Sequence, residues 1–379
     1  FKVASNGSLS KYNLVDQTED AFEDQTGIDA SASSDEVYNV SGKYFSGQVA
    51  VPTGGTITTY TDSGTDYVVH SFLSGTTNIT FNKVGTVDYL LVAGGGGGGT
   101  AQLPGGGGAG GMTTGSSFAV TIGDHPVVVG AGGEQWVAGN ATTGGNTTFS
   151  SLTALGGGGG VGNGGGVASG GSGGGGHGYS GPGGAGTAGQ GYAGGAGTNH
   201  GAGGGGGAGG VGANAVSPNG GNGGVGLSNT LRTNAAVFYA GGGGGGRWTG
   251  SNGSGGNGGG GDAQTANGDA GTANTGGGGG AGGSEGGLGG TGIAVLRYVD
   301  GAFGPTYNQL TLVSNATTAT TTATKGDIVM TYTNGAGTAT LNTDLTAEFS
   351  ADNGSNWTSM TLVAQGNTGA AAPAIERSG

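Results

Sequence analysis

Short runs of β-branched and aromatic residues, separated by Gly, Asp, Ser and Asn, dominate the hydrophobic and polar pattern after residue 55. Runs of this length, bounded by turn-forming residues, are typical of antiparallel strands joined in hairpins. The last of these runs leads directly into six consecutive glycines. The pattern predicts four strands before the glycines, at residues 56–60, 67–72, 78–81 and 87–93.

A glycine-rich region follows, and most of the 105 glycines of the 379-residue chain lie between Gly94 and Gly290. A flexible linker is the default interpretation, because glycine loses more backbone entropy on folding than any other residue. Two features favour order instead. The residues that interrupt the glycine runs are small or turn-forming, so the runs resemble straight pieces reversed by turns. Strand-like segments also recur within and beside the region, at residues 118–122, 127–129, 235–240 and 293–298.

The polyproline II conformation offers an ordered structure for such runs. It repeats every three residues and rises about 3.1 Å per residue, and neighbouring helices can approach closely enough for backbone hydrogen bonds only where side chains are absent. Each bond contributes on the order of 1 kcal/mol, whereas each ordered residue loses about 1–2 kcal/mol of entropy, so many helices must pack together. We therefore predict a mainly β protein whose glycine-rich domain is a polyglycine II helix bundle anchored on β-strands. The expected apolar anchor comprises Leu90, Val92, Val120, Ile122, Phe149, Phe238, Val295 and Leu296.

Changes in composition predict three domains. Residues 1–52 contain an acidic stretch and few apolar positions, so we expect a linker or the end of a preceding domain, with a short pairing strand near residues 44–45. Residues 53–299 form the glycine-rich domain. Residues 300–379 are expected to form a small antiparallel β-domain, sandwich-like and one or more strands short. Its strands are predicted at residues 309–313, 327–332, 347–350 and 360–363.

Charge and composition disfavour several classes of function. The net charge is −13 with nine Lys and Arg in total, so no basic patch could neutralise a run of phosphates or bind an anionic membrane. No stretch approaches the roughly 18 apolar residues of a membrane-spanning helix. The absence of cysteine excludes disulfides, thiolate metal sites and a cysteine nucleophile. Because neither clustered acids nor a histidine beside a nucleophile is visible, we expect no enzyme, no cofactor and no metal site.

Two parts of the chain carry a resemblance to known families. Residues 87–93 (VDYLLVA) with the glycines 94–99, together with residues 289–298 (GGTGIAVLRY), resemble the boundaries of the glycine-rich domain of phage tail-fibre and related virion proteins. This resemblance covers about residues 53–299. Residues 337–363 (GTATLNTDLTAEFSADNGSNWTSMTLV) look like a β-domain that recurs in marine phage fibre proteins, over about residues 306–366.

The resemblance implies a structural protein of a virion appendage, found on the virion or outside the cell. It implies either a rigid spacer or an adhesin that touches a bacterial surface receptor or glycan, as in the glycine-rich tip adhesins of T-even-like phages. The further β-domain after the glycine-rich one distinguishes this chain from those adhesins and favours a spacer. Other fibre proteins are expected partners, and fibres suggest by analogy a homo-oligomer, such as a trimer. The alternative is an extracellular structural or ice-binding protein built from the same helices.

A few large side chains interrupt the glycine region, and a polyglycine lattice must exclude them to its loops or edges. Exposed aromatic and charged residues there would suit contact with a sugar or protein surface. The alternative is that they shield the ends of the lattice. The candidate surface-contact residues are Trp136, His177, Tyr179, Tyr192, His200, Arg247 and Trp248.

Overall fold

The computed structural model describes residues 28–34, 36–39, 43–46, 48–49, 52–135, 141–162, 165–166, 168–303, 306–307, 310–316, 318, 328–332, 339–367 and 374–378. Across these residues the chain forms strands, turns and extended segments, and no helix. The prediction of a mainly β protein with antiparallel sheets is thus confirmed. No helix able to cross a membrane occurs in this part of the chain.

The chain divides into two compact units, one comprising Val49–Thr306 and the other Phe1–Gln48 with Tyr307–Gly379. The strands in chain order are β1 Glu36–Asn39, β2 Lys43–Ser46, β3 Gln48–Val49, β4 Thr56–Asp62, β5 Thr65–Phe72, β6 Gly75–Phe81, β7 Gly85–Val92, β8 Met112–Val120, β9 Gly123–Val129, β10 Thr147–Phe149, β11 Leu152–Ala154, β12 Leu227–Asn229, β13 Val237–Tyr239, β14 Ile293–Val299, β15 Thr306–Tyr307, β16 Val329–Tyr332, β17 Ala347–Phe349, β18 Thr358–Met360, β19 Leu362–Asn367 and β20 Ala374–Ser378.

A five-stranded antiparallel sheet, here called the base sheet, organises the Val49–Thr306 unit in the order β4-β5-β14-β7-β8. Its central strand β14 comes from the far end of the glycine-rich region and pairs with β5 and β7. Residues 293–296 of β14 are all fully buried. A continuous apolar run of this kind is typical of a strand that is covered on both faces. The base sheet therefore closes the glycine-rich region by joining its two ends.

The two faces of the base sheet bury different partners. One face packs against a second antiparallel sheet, β11-β10-β9-β6, through a cluster that includes Phe72, Phe81, Phe149 and Leu296. The opposite face packs against the β12–β13 hairpin and against the ends of several glycine runs. Its cluster contains Val295 from the sheet, Tyr239 and Leu231 from the hairpin and its turn, and Ala109, Ala208 and Ala240 from the glycine runs.

An ion pair joins the central strand of the base sheet to its neighbour β7. The Arg297 guanidinium on β14 donates to the Asp88 carboxylate on β7 through Nη2 at 2.6 Å and Nε at 3.2 Å. It also donates to the Tyr60 hydroxyl at 3.0 Å and lies 4.2 Å from the centroid of the Tyr67 ring. Both charged side chains are mostly buried. Through these contacts Arg297 links its own strand β14 to β7, β4 and β5.

The glycine runs form extended segments that are joined to one another by backbone hydrogen bonds with a three-residue repeat. Segment 94–99, for example, donates in turn to three different neighbours, so that residues three apart bond to the same neighbour. Its carbonyls accept from three further segments. Six neighbours therefore surround this segment. The donated bonds are Gly94 to Gly145, Gly97 to Thr142, Gly95 to Gly290, Gly98 to Gly287, Gly96 to Gly108 and Gly99 to Gly105, and the accepted bonds come from Gly157, Gly160, Gly133, Gly279 and Gly282, all at 2.8–3.1 Å.

Segments surrounded in this way are almost purely glycine, because no space for a side chain remains. A Cβ built on Gly98 would collide with the Gly280 carbonyl, and one on Gly243 with the Gly279 carbonyl. The interior segments, at residues 94–99, 105–111, 203–207, 241–246 and 276–282, are buried throughout. Alanines such as Ala109 and Ala281 occur only near the ends of these segments. Glycine is required here for close backbone approach.

Segments at the edge of this array have fewer neighbours and carry side chains at every third position. Along residues 219–226 the side chains of Asn222 and Val225 are exposed, whereas Gly221 and Gly224 are buried. The Oδ1 atoms of Asn219 and Asn222 accept hydrogen bonds from the backbone amides of Ser251 (2.7 Å) and Ser254 (2.9 Å). Asparagine side chains thus supply acceptors where the array ends.

Two members of the predicted apolar anchor are wrong. Ile122 is 67% exposed because β8 ends at Val120, which leaves Ile122 in the turn that precedes β9. Phe238 is 42% exposed because side chains alternate along β13 and Tyr239 takes the inward position. The other six anchor residues are buried, as predicted.

The second unit is also built from antiparallel pairs. Strands β1 and β2 pair, β16, β20 and β19 form a three-stranded sheet, and β17 pairs with β18. The strand predicted at residues 360–363 is instead divided at Thr361 between β18 and β19. The strand predicted at residues 309–313 is wrong in its described part, where only an isolated bridge joins Thr311 to Ser34. Leu310 is exposed there, so the run lacks a packed face.

Candidate functional site

The turns farthest from the base sheet gather at one end of the array, here called the tip. They lie at residues 100–104, 178–180, 198–200, 216–218, 247–250, 265–266 and 283–284. Backbone hydrogen bonds join most of them: Gly178 donates to Leu103, Gly246 to Pro104, Trp248 to His200 and Ser284 to Ala266, at 2.8–3.0 Å. Side chains supply the remaining links, since the Arg247 guanidinium donates to the Thr265 hydroxyl and the Ser251 amide donates to Asn219 Oδ1, beside the turn at residues 216–218. The tip is therefore one connected surface made by parts of the chain that are distant in sequence.

The turn at residues 100–104 is held in a strained conformation. Ala101 and Leu103 adopt left-handed backbone angles, with φ of +85° and +53°. Such angles favour glycine, and their use by residues with side chains is a frequent mark of functional loops. The Leu103 side chain is buried and occupies the space against which a Cβ on Gly178 would collide. Leu103 thus fixes this turn against the neighbouring one.

His177 and Tyr179 attach the second turn to the first. The His177 Nε2 atom lies 2.8 Å from the Gln102 carbonyl oxygen, which can only accept, so Nε2 carries the proton. The His177 Nδ1 atom accepts the Tyr179 amide at 3.4 Å, and the Tyr179 hydroxyl donates to Gln102 Oε1, also at 3.4 Å. His177 is buried, whereas Tyr179 is 53% exposed. The buried His177 side chain therefore holds the two turns together, and the Tyr179 side chain forms part of the exposed surface of the tip.

A cleft of about 430 Å³ opens between these turns. Its lining includes Gln102, Arg247, Trp248, Asn252, Gln264 and Thr265. The Arg247 guanidinium donates to the Thr265 hydroxyl at 3.2 Å, and the Trp248 side chain is 51% exposed. The cleft thus combines a cation, an exposed aromatic surface and side-chain amides. Its volume falls within the range of about 300–1,000 Å³ that is usual for small-molecule sites.

A buried histidine, His70, lies at the base sheet, far from the tip. His70 is fully buried, and burial lowers its pKa below the ordinary value of 6.5, with a smaller opposing effect from the Gly54 carbonyl. Because that carbonyl lies 2.7 Å from Nδ1 and can only accept, Nδ1 is the protonated nitrogen. Nε2 then accepts from the Tyr298 hydroxyl at 2.9 Å. Burial first, and the Asp300 charge second, raise the pKa of Tyr298 to about 12.

The structure brings five of the seven predicted contact residues to the tip, namely His177, Tyr179, His200, Arg247 and Trp248. Tyr192 is 50% exposed but lies near the base sheet, two residues after Gln190, whose carbonyl accepts the Met112 amide of β8. Trp136 lies outside the described residues. Whether any of these side chains touches a partner stays a prediction.

Several cleft residues were missing from the sequence prediction. Gln102, Asn252, Gln264 and Thr265 are polar residues in or near turns, and nothing in their local sequence separates them from other turn residues. The one feature that they share in the sequence is that each lies a few residues after a run of glycines that leads toward the tip. Among the described residues, no group of three His, Asp or Glu side chains could hold a metal ion.

Fold and tip together define a mainly β protein with a hydrogen-bonded glycine-rich domain that presents its large side chains at its edges and ends. The family model described as "Glycine-rich domain" matches residues 71–299, which is more than half of the chain. The chain belongs to this glycine-rich domain family. No curated protein matches it.

Proposed function

We propose that residues 94–291 form a polyglycine II bundle. Three observations support this assignment: the three-residue repeat of the hydrogen bonds, the six neighbours of each interior segment and the exclusion of side chains from those segments. All three are required when chains with three residues per turn pack side by side. A cryo-electron-microscopy map tests it, with segments of about three residues per turn and about 3.1 Å rise per residue expected.

The chain acts, on this proposal, as a structural protein of a virion appendage, a phage tail fibre or its like, which holds the tip against a bacterial surface. One observation carries the recognition role: seven turns separated along the chain converge on a connected tip with exposed aromatic side chains. Exposed aromatic residues on a preorganised support are typical of binding surfaces, because little conformational entropy is lost on contact. No catalytic step is part of the proposal.

A rigid support suits both the spacer and the adhesin forms of this function. Interior segments donate and accept hydrogen bonds on all sides, so bending one segment would disturb six neighbours. The turns lie outside the interior of the array, and substitution of their exposed side chains leaves the backbone bonds intact. The array can therefore transmit force while the tip varies in sequence.

A matched pair of tyrosines tests recognition. Tyr179 at the tip and Tyr192 near the base sheet are the same residue type with nearly equal exposure, 53% and 50%. Attachment of the labelled full chain to a panel of bacterial strains should weaken in Tyr179→Ala and in Trp248→Ala, and should be unchanged in Tyr192→Ala. Equal effects of the two tyrosine substitutions, or attachment independent of Trp248, would contradict recognition by the tip.

A further inference from the structure

The geometry of the cleft points to a specific ligand class: a saccharide that carries a carboxylate, such as a uronic or sialic acid residue. Arg247 would hold the carboxylate, Trp248 the face of a sugar ring, and the surrounding amides the hydroxyl groups. This inference rests on the proposed function, since it names what the tip would recognise on a cell surface.

Arg247 has the environment of an anion-binding residue. Its guanidinium donates through Nη2 to the neutral Thr265 hydroxyl, and no carboxylate lies within 4.0 Å of it among the described residues. By contrast, Arg297 at the base sheet is paired with Asp88. A guanidinium without an internal counter-ion keeps most of its donors for a ligand. A carboxylate satisfies two of these donors at once in bidentate geometry.

Trp248 supplies the apolar part of the cleft. Its side chain is half exposed although its backbone is fixed by the hydrogen bond from its amide to the His200 carbonyl at 3.0 Å. Leu103 and Pro104 line the same cleft. A sugar ring has one apolar face of C–H groups, which packs on an aromatic ring, and hydroxyl edges, which need hydrogen bonds.

Side-chain amides provide those hydrogen bonds. Gln102, Asn252 and Gln264 line the cleft, and each amide can both donate and accept. The Gln264 Nε2 atom already donates to the Asp269 carboxylate at 3.1 Å, so its Oε1 atom is the acceptor left for a hydroxyl. An amide can donate to and accept from a hydroxyl group, so these side chains can bind the sugar hydroxyls without a charge.

The charge of the protein selects a singly charged saccharide over a polyphosphate. The chain has a net charge of −13, and Asp269 and Glu285 lie close to the tip turns at residues 265–266 and 283–284. Such surroundings repel a densely charged polymer, whereas one carboxylate among neutral hydroxyls can pair with Arg247.

The test compares a disaccharide ending in glucuronic acid with its counterpart ending in glucose, each titrated against the full chain by calorimetry or ligand-observed NMR. We expect the acid to bind at least about tenfold more tightly, a preference that a charge-assisted bond supports. Arg247→Gln should abolish the preference, and Arg247→Lys should restore part of it. Lys83→Gln, which removes the same charge from the exposed connection between β6 and β7, should leave the preference unchanged.

Equal binding of the two disaccharides, an unchanged preference in Arg247→Gln, or tight binding of an acidic peptide in place of both sugars would overturn the inference. Measuring the attachment of the same variants to bacterial cells distinguishes failure of the saccharide inference from failure of the proposed function. If attachment is weakened by Trp248→Ala but is unchanged by Arg247→Gln and by added disaccharide, only the saccharide inference is overturned. If the disaccharide ending in glucuronic acid binds preferentially but Trp248→Ala leaves cell attachment unchanged, the proposed function is overturned.

Discussion

A single methyl group in the interior of the glycine array should be strongly destabilising. Gly107 lies in segment 105–111, its amide donates to the Gly279 carbonyl and its own carbonyl accepts from the Gly243 amide, both at 2.8 Å. The Cβ of a Gly107→Ala variant would collide with the Gly96 carbonyl and approach the Gly97 carbonyl to 2.7 Å. Both obstacles are backbone atoms of segment 94–99, so no side-chain rotation can relieve them.

The size of the effect follows from the hydrogen bonds of the displaced segment. The two carbonyls that face the new methyl group accept bonds from Gly279 and Gly160, each at 2.9 Å. Moving them by about 1 Å to reach van der Waals distance breaks both bonds. A buried carbonyl without a donor costs about 1–3 kcal/mol, so the free energy of unfolding should fall by about 2–6 kcal/mol. For a unit of this size that corresponds to a decrease in Tm on the order of 10 °C.

Two further Gly→Ala variants separate close approach from backbone strain in the same thermal and urea unfolding experiments. A Cβ on Gly166 would meet nothing within 4 Å, and this residue does not have left-handed angles, so its change should be within about 1 kcal/mol of zero. A Cβ on Gly189 would also meet nothing, but its φ is +78°, so about 1–2 kcal/mol should be lost. If Gly107→Ala is no more destabilising than Gly166→Ala, the close-packing argument is refuted.

Three smaller predictions concern the base sheet and the edge of the array. Because burial lowers the pKa of His70, its contribution to stability is fully present above about pH 6.5 and is lost as the pH falls, so acid unfolding should be less steep in a His70→Gln variant. Arg297→Lys should lose about 1–3 kcal/mol because a lysine cannot make the forked contact, and a double-mutant cycle with Asp88→Asn in urea should show coupling. Asn222→Ala should cost about 0.5–1.5 kcal/mol and accelerate amide exchange at Ser254, whereas unchanged exchange would contradict the edge assignment.

The strands before the glycine region could be predicted from sequence because each run of β-branched and aromatic residues is bounded by turn residues. All four predicted runs, at residues 56–60, 67–72, 78–81 and 87–93, coincide with strands β4 to β7. The pairing order could not be predicted in the same way. Strand β14 inserts between β5 and β7 although about 200 residues separate it from them, and local pattern carries no information about such a long connection.

The sequence predicted that large side chains are excluded from the array, but it did not predict whether each one lies at the tip or near the base sheet. Successive segments run alternately toward and away from the base sheet, so a residue lies at the tip or near the base according to where the preceding turn falls. Tyr179 occupies a tip turn, whereas the next turn, at residues 188–190, lies near the base and is followed directly by Tyr192. Uniform glycine runs do not mark these reversals, since glycine is compatible with both the straight segment and the turn.

The distribution of glycine along the sequence nevertheless encodes depth in the array. A segment with six neighbours admits no side chain except near its ends, and the runs 94–99 and 241–246 are accordingly pure glycine. A segment at the edge has an open side at every third residue, and residues 219–226 place Asn222 and Val225 there. The purest runs are therefore the most buried and the least tolerant of change. The turns between them are free of this constraint, which is why large exposed side chains such as Tyr179 and Trp248 occur there.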